Sequence, residues 1–190
     1  MRDPITRDDL RPLDYGEFGL ILRTLATRVS EHIRATGTAF DAIAPILRSG
    51  AITGMHLASA LRLTNILPLQ YKHRGDAVER LMQPPAAKPG IATILLADSN
   101  TVTGAVATAA AADLRRQYPL AHIVLATAVL DMSVGAIHGV DSIIYALLSN
   151  EARAISTAAA QSNHVGPEVY IFPWEDVDEQ WAEISECGEG

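Results

Sequence analysis

Ile91–Val106 reads IATILLADSNTVTGAV, and its two halves follow different rules. Ile91–Ala97 is short, apolar and uncharged, as a strand buried on both faces of a parallel sheet reads. Asp98 ends that run. A polar turn is expected over Ser99-Asn100-Thr101-Val102-Thr103-Gly104, then an alanine-rich helix over Ala105–Gln117. Open α/β sheets place ligands where a strand's carboxyl end meets a helix's amino end. Free N–H groups at such a helix start attract anions, phosphate above all. Thr101 and Thr103 can add hydroxyl donors, Gly104 permits close backbone approach, and Asp98 can accept from sugar hydroxyls. The stretch therefore suits a phosphorylated sugar. The same letters also suit an ordinary capped helix after a buried strand.

Moving toward the amino terminus, a similar unit occurs earlier. Phe40–Leu47 (FDAIAPIL) reads as a strand, Arg48-Ser49-Gly50 as its turn, and Ala51–Leu63 as a helix. Before it, Glu17–Thr36 carries Phe18, Ile21, Leu22, Leu25, Val29 and Ile33 at helical spacing, with Gly37 as the stop. Residues 1–15, polar and with Pro4 and Pro12, read as a lead-in arm. Leu67–Tyr71 is a third strand candidate, followed by the basic group Lys72-His73-Arg74-Gly75. Ala77–Met82 reads as a helical turn, and Gln83–Gly90, rich in Pro, as a loop of the kind that covers sites.

Toward the carboxyl terminus, His122–Val129 is another buried strand. Residues 138–148 are strand or helix, and Glu151–Gln161 is helical. Glu168–Phe172 is a last strand, turned by Pro173-Trp174-Glu175 into an acidic tail with Trp181. Strands alternating with helices predict an α/β fold with a mostly parallel central sheet flanked by helices.

The 190 residues fit one domain with a full core. An apolar fraction of 48% with 19% charged residues is that of a globular chain. The net charge of −7 argues against a general nucleic-acid binder. The single cysteine, Cys187, excludes an internal disulfide. No secretory leader and no membrane span are expected, so a cytoplasmic location follows by default. GxxxxGK[ST], GxGxxG and GxSxG are all missing. His32, His56, His73, His122, His138 and His164 do not pair at metal spacing.

Three separated pieces together resemble one family, the type I phosphoribosyltransferases, and most closely the xanthine-guanine and related purine members. The family's hhhhDDxxTTGxT motif, which binds the 5-phosphate and ribose of phosphoribosyl pyrophosphate (PRPP), is matched by ILLADSNTVTGAV. Its Arg-Gly-Gly pyrophosphate loop is matched by Arg48-Ser49-Gly50. Its Phe-Pro-Trp-Glu-like segment is matched by Tyr170-Ile171-Phe172-Pro173-Trp174-Glu175. The resemblance spans about Tyr15–Glu175. It implies one phosphoribosyltransferase-like domain over 1–190, with a small hood from about 1–15 and 165–190.

By the same resemblance, Arg48, Ser49, Gly50, Lys72, Arg74, Asp98, Ser99, Asn100, Thr101, Val102, Thr103 and Gly104 would bind PRPP. Tyr170, Ile171 and Trp174 would meet the base. Trp174 suits packing better than base contact, and Lys72 and Arg74 suit a solvated turn equally well. Mg2+ is implied as cofactor, mainly through the substrate and through Asp98 if any protein group. The implied partners are small molecules, PRPP and a nitrogenous base or nucleotide, with no nucleic acid and no membrane. The implied assembly is a homo-oligomer.

The letters depart from the family pattern at the chemistry. The second acid is Ser99, which could still bond a ribose hydroxyl. The usual base position is Val102, which has no proton chemistry. The first loop glycine is Ser49. Two readings follow: a phosphoribosyltransferase acting on a purine-like or unusual acceptor, or an inactive relative that binds a nucleotide or PRPP as a sensor or partner subunit.

Overall fold

The computed structural model describes residues 6–74, 77–131, 134–149 and 169–187. Its centre is a six-stranded sheet: β2 (Ala42–Leu47), β3 (Leu69–Arg74), β4 (Ala77–Met82), β5 (Thr93–Thr101), β6 (His122–Asp131) and β7 (Ser142–Ser149). The strand order is β4-β3-β2-β5-β6-β7, and every neighbouring pair is parallel except β3–β4. The mostly parallel α/β sheet read from the sequence is the observed one.

Helices cover both faces. On one lie α1 (Tyr15–Thr36) and α2 (Gly50–Leu61), which share a core with Leu95, Ala97, Val124 and Ala126. On the other lies α3 (Ala105–Gln117), whose Ala107, Ala110, Ala111 and Leu114 pack on Ile94, Leu96, Ile123 and Leu125. Successive residues of β5 and β6 thus feed opposite cores, which is why both strands read as unbroken apolar runs. The chirality of the L-residue strand–helix–strand unit makes such crossovers right-handed almost without exception.

The first helix is closed at both ends by its own sequence. The Asp14 carboxylate accepts from the Glu17 amide at 2.7 Å, and Glu17 accepts from the Asp14 amide at 2.9 Å. Gly37 ends it at φ 70°, where a side chain would be strained.

A second, two-stranded parallel sheet joins the two ends of the chain. Here β1 (Leu10–Pro12) pairs with β8 (Val169–Ile171). Alternation again divides β8 between two cores. Tyr170 and Phe172 enter the α1 core, while Val169 and Ile171 pack with Leu10, Val177 and Trp181 beneath α4 (Val177–Cys187).

Four local expectations change. Ala77–Met82 is a strand, not a helical turn. Its Ala, Glu, Leu and Met are good helix formers, but such propensity is readily overridden by tertiary context. Pairing with β3, and the Arg80–Asp113 ion pair at 3.0 Å to α3, decide otherwise. Lys72-His73-Arg74 belongs to β3 itself. β5 does not stop at Asp98: pairing with the long β6 carries it to Thr101. The acidic tail forms α4, started by the Asp176 carboxylate, which accepts from the Asp178 and Glu179 amides. Residues 138–148, open between strand and helix, supply β7, and the lead-in arm contributes β1. The helix expected over Glu151–Gln161 lies outside the described residues.

Candidate functional site

Strand order decides where a ligand can sit. From β2 the chain crosses through α2 to β3 on one side; from β5 it crosses through α3 to β6 on the other. The two helices lie on opposite faces of the sheet. The carboxyl ends of β2 and β5, which are hydrogen-bonded neighbours, are therefore the topological switch point. Both polar turns named from the sequence lie there.

The turns touch. A Cβ on Gly50 would stand 2.7 Å from the Ala97 carbonyl oxygen and 3.2 Å from the Asp98 Cα. Only glycine permits that approach. Arg48 is exposed at the turn, beside the cis Leu47–Arg48 peptide. Leu47 pairs with Gln70, so Lys72, two residues further along β3 and exposed, stands at the same edge. Neither the Arg48 nor the Lys72 side chain has a hydrogen bond or ion pair among the described residues. Arg74 closes β3, pairing with Ala77 through the backbone.

The helix starts here differ from that of α1. Neither α2 nor α3 has an acidic residue in its first turn or a side-chain bond from its N-cap residue. Thr103, exposed, accepts from the Ala105 amide at 3.3 Å through its hydroxyl. Gly104 turns at φ 75°, and Val102 is half-buried. The polar turn between β5 and α3 is thus Val102-Thr103-Gly104, shorter than the sequence suggests.

The residues before it face inward. Asp98 is 7% exposed. Burial pushes its carboxyl up to about 7, against hydrogen bonds from the Ser99 amide, the Thr101 hydroxyl and the Asn100 amide that favour the charged form. Oδ1 accepts from the Ser99 amide at 2.8 Å, and Oδ2 faces the Thr101 hydroxyl at 3.4 Å. Thr101 also lies 3.1 Å from the Thr127 hydroxyl, which donates to the Val129 carbonyl. Asn100 is half-buried between them. Ser99 is fully buried: its hydroxyl donates to the Ser49 carbonyl at 2.9 Å and lies 2.8 Å from the Thr53 hydroxyl. In this arrangement the Ser99 and Thr101 hydroxyls belong to the fold, not to a ribose.

Asp98 does not fit as a Mg2+ ligand as it stands. Both oxygens face groups of its own chain, and no group of three His, Cys, Asp or Glu that could hold a metal occurs among the described residues. Hard cations of this kind want several oxygens in a near-octahedral set.

The base-side expectations also meet packing. Arg11 lies over the Tyr170 ring at 5.6 Å, and Tyr170 is 6% exposed, so that ring face is not open for stacking. The Ile171 carbonyl accepts from the Leu13 amide at 2.8 Å in the small sheet. Trp174 stacks on Phe172 at 5.1 Å, and both meet Phe18 edge-on. Such pairs contribute about 0.5–1.5 kcal/mol each beyond burial, enough to account for a Trp here.

Three residues at this edge escaped the sequence reading. Thr53 is a buried polar residue on the otherwise apolar inner face of α2. Thr127 lies inside an apolar strand, and Asp131 ends β6 at 1% exposure, bonded by the Ser149 hydroxyl at 3.4 Å. Asp131 repeats the signal of Asp98, a charge closing a buried apolar run.

No protein-family model and no curated protein matches the sequence. Solved structures do match the fold. A purine phosphoribosyltransferase from Pyrococcus horikoshii Ot3 superposes with a TM-score of 0.65 at 14% identity, covering 88% of this chain and 95% of that one. The Helicobacter pylori xanthine-guanine-hypoxanthine phosphoribosyltransferase gives 0.64 at 15%, covering 92% and 99%. A hypothetical protein from Neisseria gonorrhoeae with bound ppGpp gives 0.60 at 16%, covering 94% and 97%. With its switch point between β2 and β5 and these neighbours along nearly its whole length, the chain has the type I phosphoribosyltransferase-like fold.

Proposed function

We propose that the chain is a phosphoribosyltransferase, binding PRPP at the β2–β5 switch point and passing its phosphoribosyl group to a nitrogenous base. The observation that carries this is the placement of two turns, Arg48-Ser49-Gly50 and Val102-Thr103-Gly104, at the carboxyl ends of the paired neighbouring strands β2 and β5. Each opens a helix with no acidic residue in its first turn. An anion at each helix start would be favoured by the amides and the macrodipole. PRPP carries two such anions, joined by a ribose.

In this reading the 5-phosphate sits at 102–105 and the pyrophosphate at 48–50, with Arg48, Lys72 and Arg74 supplying positive charge. The C1–oxygen bond to pyrophosphate breaks, a C1–nitrogen bond forms, and the base's proton passes to solvent, since Val102 cannot take it. The protein's contribution is positioning and neutralising the leaving group. Mg2+, if bound, would be held through the substrate and by no assigned side chain, and would offset charge on the leaving group. The β1–β8 sheet and α4 would form the hood over the base, with Tyr170 and Trp174 acting through packing.

Calorimetry with PRPP and Mg2+ should show binding. Arg48→Ala should weaken it roughly 10- to 100-fold, as loss of a charge-assisted hydrogen bond implies. A panel of bases should then release pyrophosphate with at least one acceptor. Binding without release would point instead to a non-catalytic PRPP or nucleotide sensor. Absence of any heat with PRPP sinks both.

A further inference from the structure

We infer that Thr53 and Ser99 are positioning residues: a buried hydroxyl relay that clamps the Arg48-Ser49-Gly50 turn in its anion-ready shape. This rests on the proposed PRPP site. The Ser99 hydroxyl has one proton, and the Ser49 carbonyl takes it at 2.9 Å. The 2.8 Å contact with Thr53 must then run the other way, with Thr53 donating to Ser99 Oγ. Both side chains have no exposed surface. The order is therefore Thr53 to Ser99 to Ser49.

This relay ties three elements at one point. Ser99 is on β5, Thr53 is one turn inside α2, and Ser49 is the N-cap of α2. The Ser49 carbonyl also accepts from the Ile52 amide at 3.1 Å, and the Arg48 carbonyl from the Ala51 amide at 3.0 Å. The Ser49 side chain makes no cap bond of its own. The turn is thus held by its carbonyls from beneath, while Arg48 remains exposed above.

The geometry also gives Ser99 a reason. A carboxylate at this position would set its oxygens against the Ser49 carbonyl, acceptor against acceptor, in a buried space. A short hydroxyl donates there and adds no charge. Residue 99 therefore acts on the pyrophosphate turn through Ser49 and not by touching ribose.

The test separates the two halves of the site. Inorganic pyrophosphate and ribose 5-phosphate are titrated by calorimetry into wild type, Ser99→Ala, Thr53→Val and Thr53→Ser. In wild type both should bind. Ser99→Ala and Thr53→Val should weaken pyrophosphate roughly 5- to 30-fold, the range of one or two hydrogen bonds. Ribose 5-phosphate, bound at 102–105, should change less than twofold. Thr53→Ser keeps the hydroxyl and should restore pyrophosphate binding.

Equal losses for both ligands, or no loss for either, overturn the relay while leaving the proposed site standing. Failure of wild type to bind either ligand overturns the site itself, and the relay with it. Hydrogen exchange gives a second readout that does not depend on Thr53→Val folding. In Ser99→Ala, the Ala51 and Ile52 amides should exchange faster while the Thr108 amide of α3 does not; unchanged exchange at Ala51 and Ile52 overturns the relay.

Discussion

The two ends of the central sheet use aspartate in opposite ways. At the amino end, Asp41 accepts from the Ala92 and Thr93 amides and the Thr93 hydroxyl, each at 2.9 Å. Asp141 accepts from the Ile123 amide and from Arg115, each at 2.7 Å. Both are exposed. The Ala92 amide bond leads in holding the Asp41 carboxyl below its ordinary value. For Asp141, partial burial works upward, but the Ile123 amide and the Arg115 charge outweigh it and the net direction is down. At the carboxyl end Asp98 is buried with no cation bonded to it among the described residues, and burial pushes it up to about 7. The amino end spends its carboxylates on tying strand starts together. The carboxyl end keeps one at a cost in stability, as sites that bind or react often do.

The contrast is sharpest in pH dependence, where the largest effect is expected. The folded-state value of Asp98 lies above its unfolded value of about 3.8, so between these limits the unfolded chain binds fewer protons. Stability therefore falls as pH rises from 3.8 to about 7, by on the order of 4 kcal/mol from this group alone. Asp41 and Asp141 contribute constantly in that window, since their folded values lie below 3.8. Denaturant unfolding across the window should show the fall in wild type and its loss in Asp98→Asn. Parallel curves for the two proteins would break the contrast.

A middle-sized effect probes the close approach at the carboxyl end. Gly50→Ala forces a methyl to 2.7 Å from the Ala97 carbonyl oxygen. It should cost about 1–3 kcal/mol, the usual range for overpacking, and weaken PRPP binding as the 48–50 turn is pushed away from β5. Thermal melting and calorimetry on the same sample check both, and a variant as stable as wild type would show that the 48–50 turn has slack against β5.

The smallest effect belongs to the amino end. Asp41→Ala should cost about 1–2 kcal/mol at neutral pH through lost hydrogen bonds. The contribution is present above 3.8 and disappears as pH falls through the lower folded value. PRPP binding should be unchanged, because Asp41 stands at the far end of β2. A drop in binding would mean that the two ends are coupled.

Much of the site's location was legible because its signals are local. Apolar runs closed by polar turns at Leu47–Gly50 and Ala97–Gly104 marked strand ends facing helix starts. Side-chain direction was not legible. Ser99, Thr101 and Tyr170 have the chemistry of ligand contacts, yet Thr53, Thr127 and Arg11, distant in sequence, claim them. Likewise β4 carries helix-forming letters, and its register with β3 overrides them.

By itself the sequence determined the buried strands, the helices α1 and α3, the two polar turns and their order. These follow from hydrophobic periodicity, caps and glycine, all of which act within a few residues. Only the tertiary structure decided that β5 runs to Thr101, that the chain's ends pair as β1 and β8, and that Ser99 turns inward to Ser49. Those outcomes depend on which buried hydrogen bonds can be satisfied once β2, β5, β6 and α2 are packed together, and no local pattern carries that information.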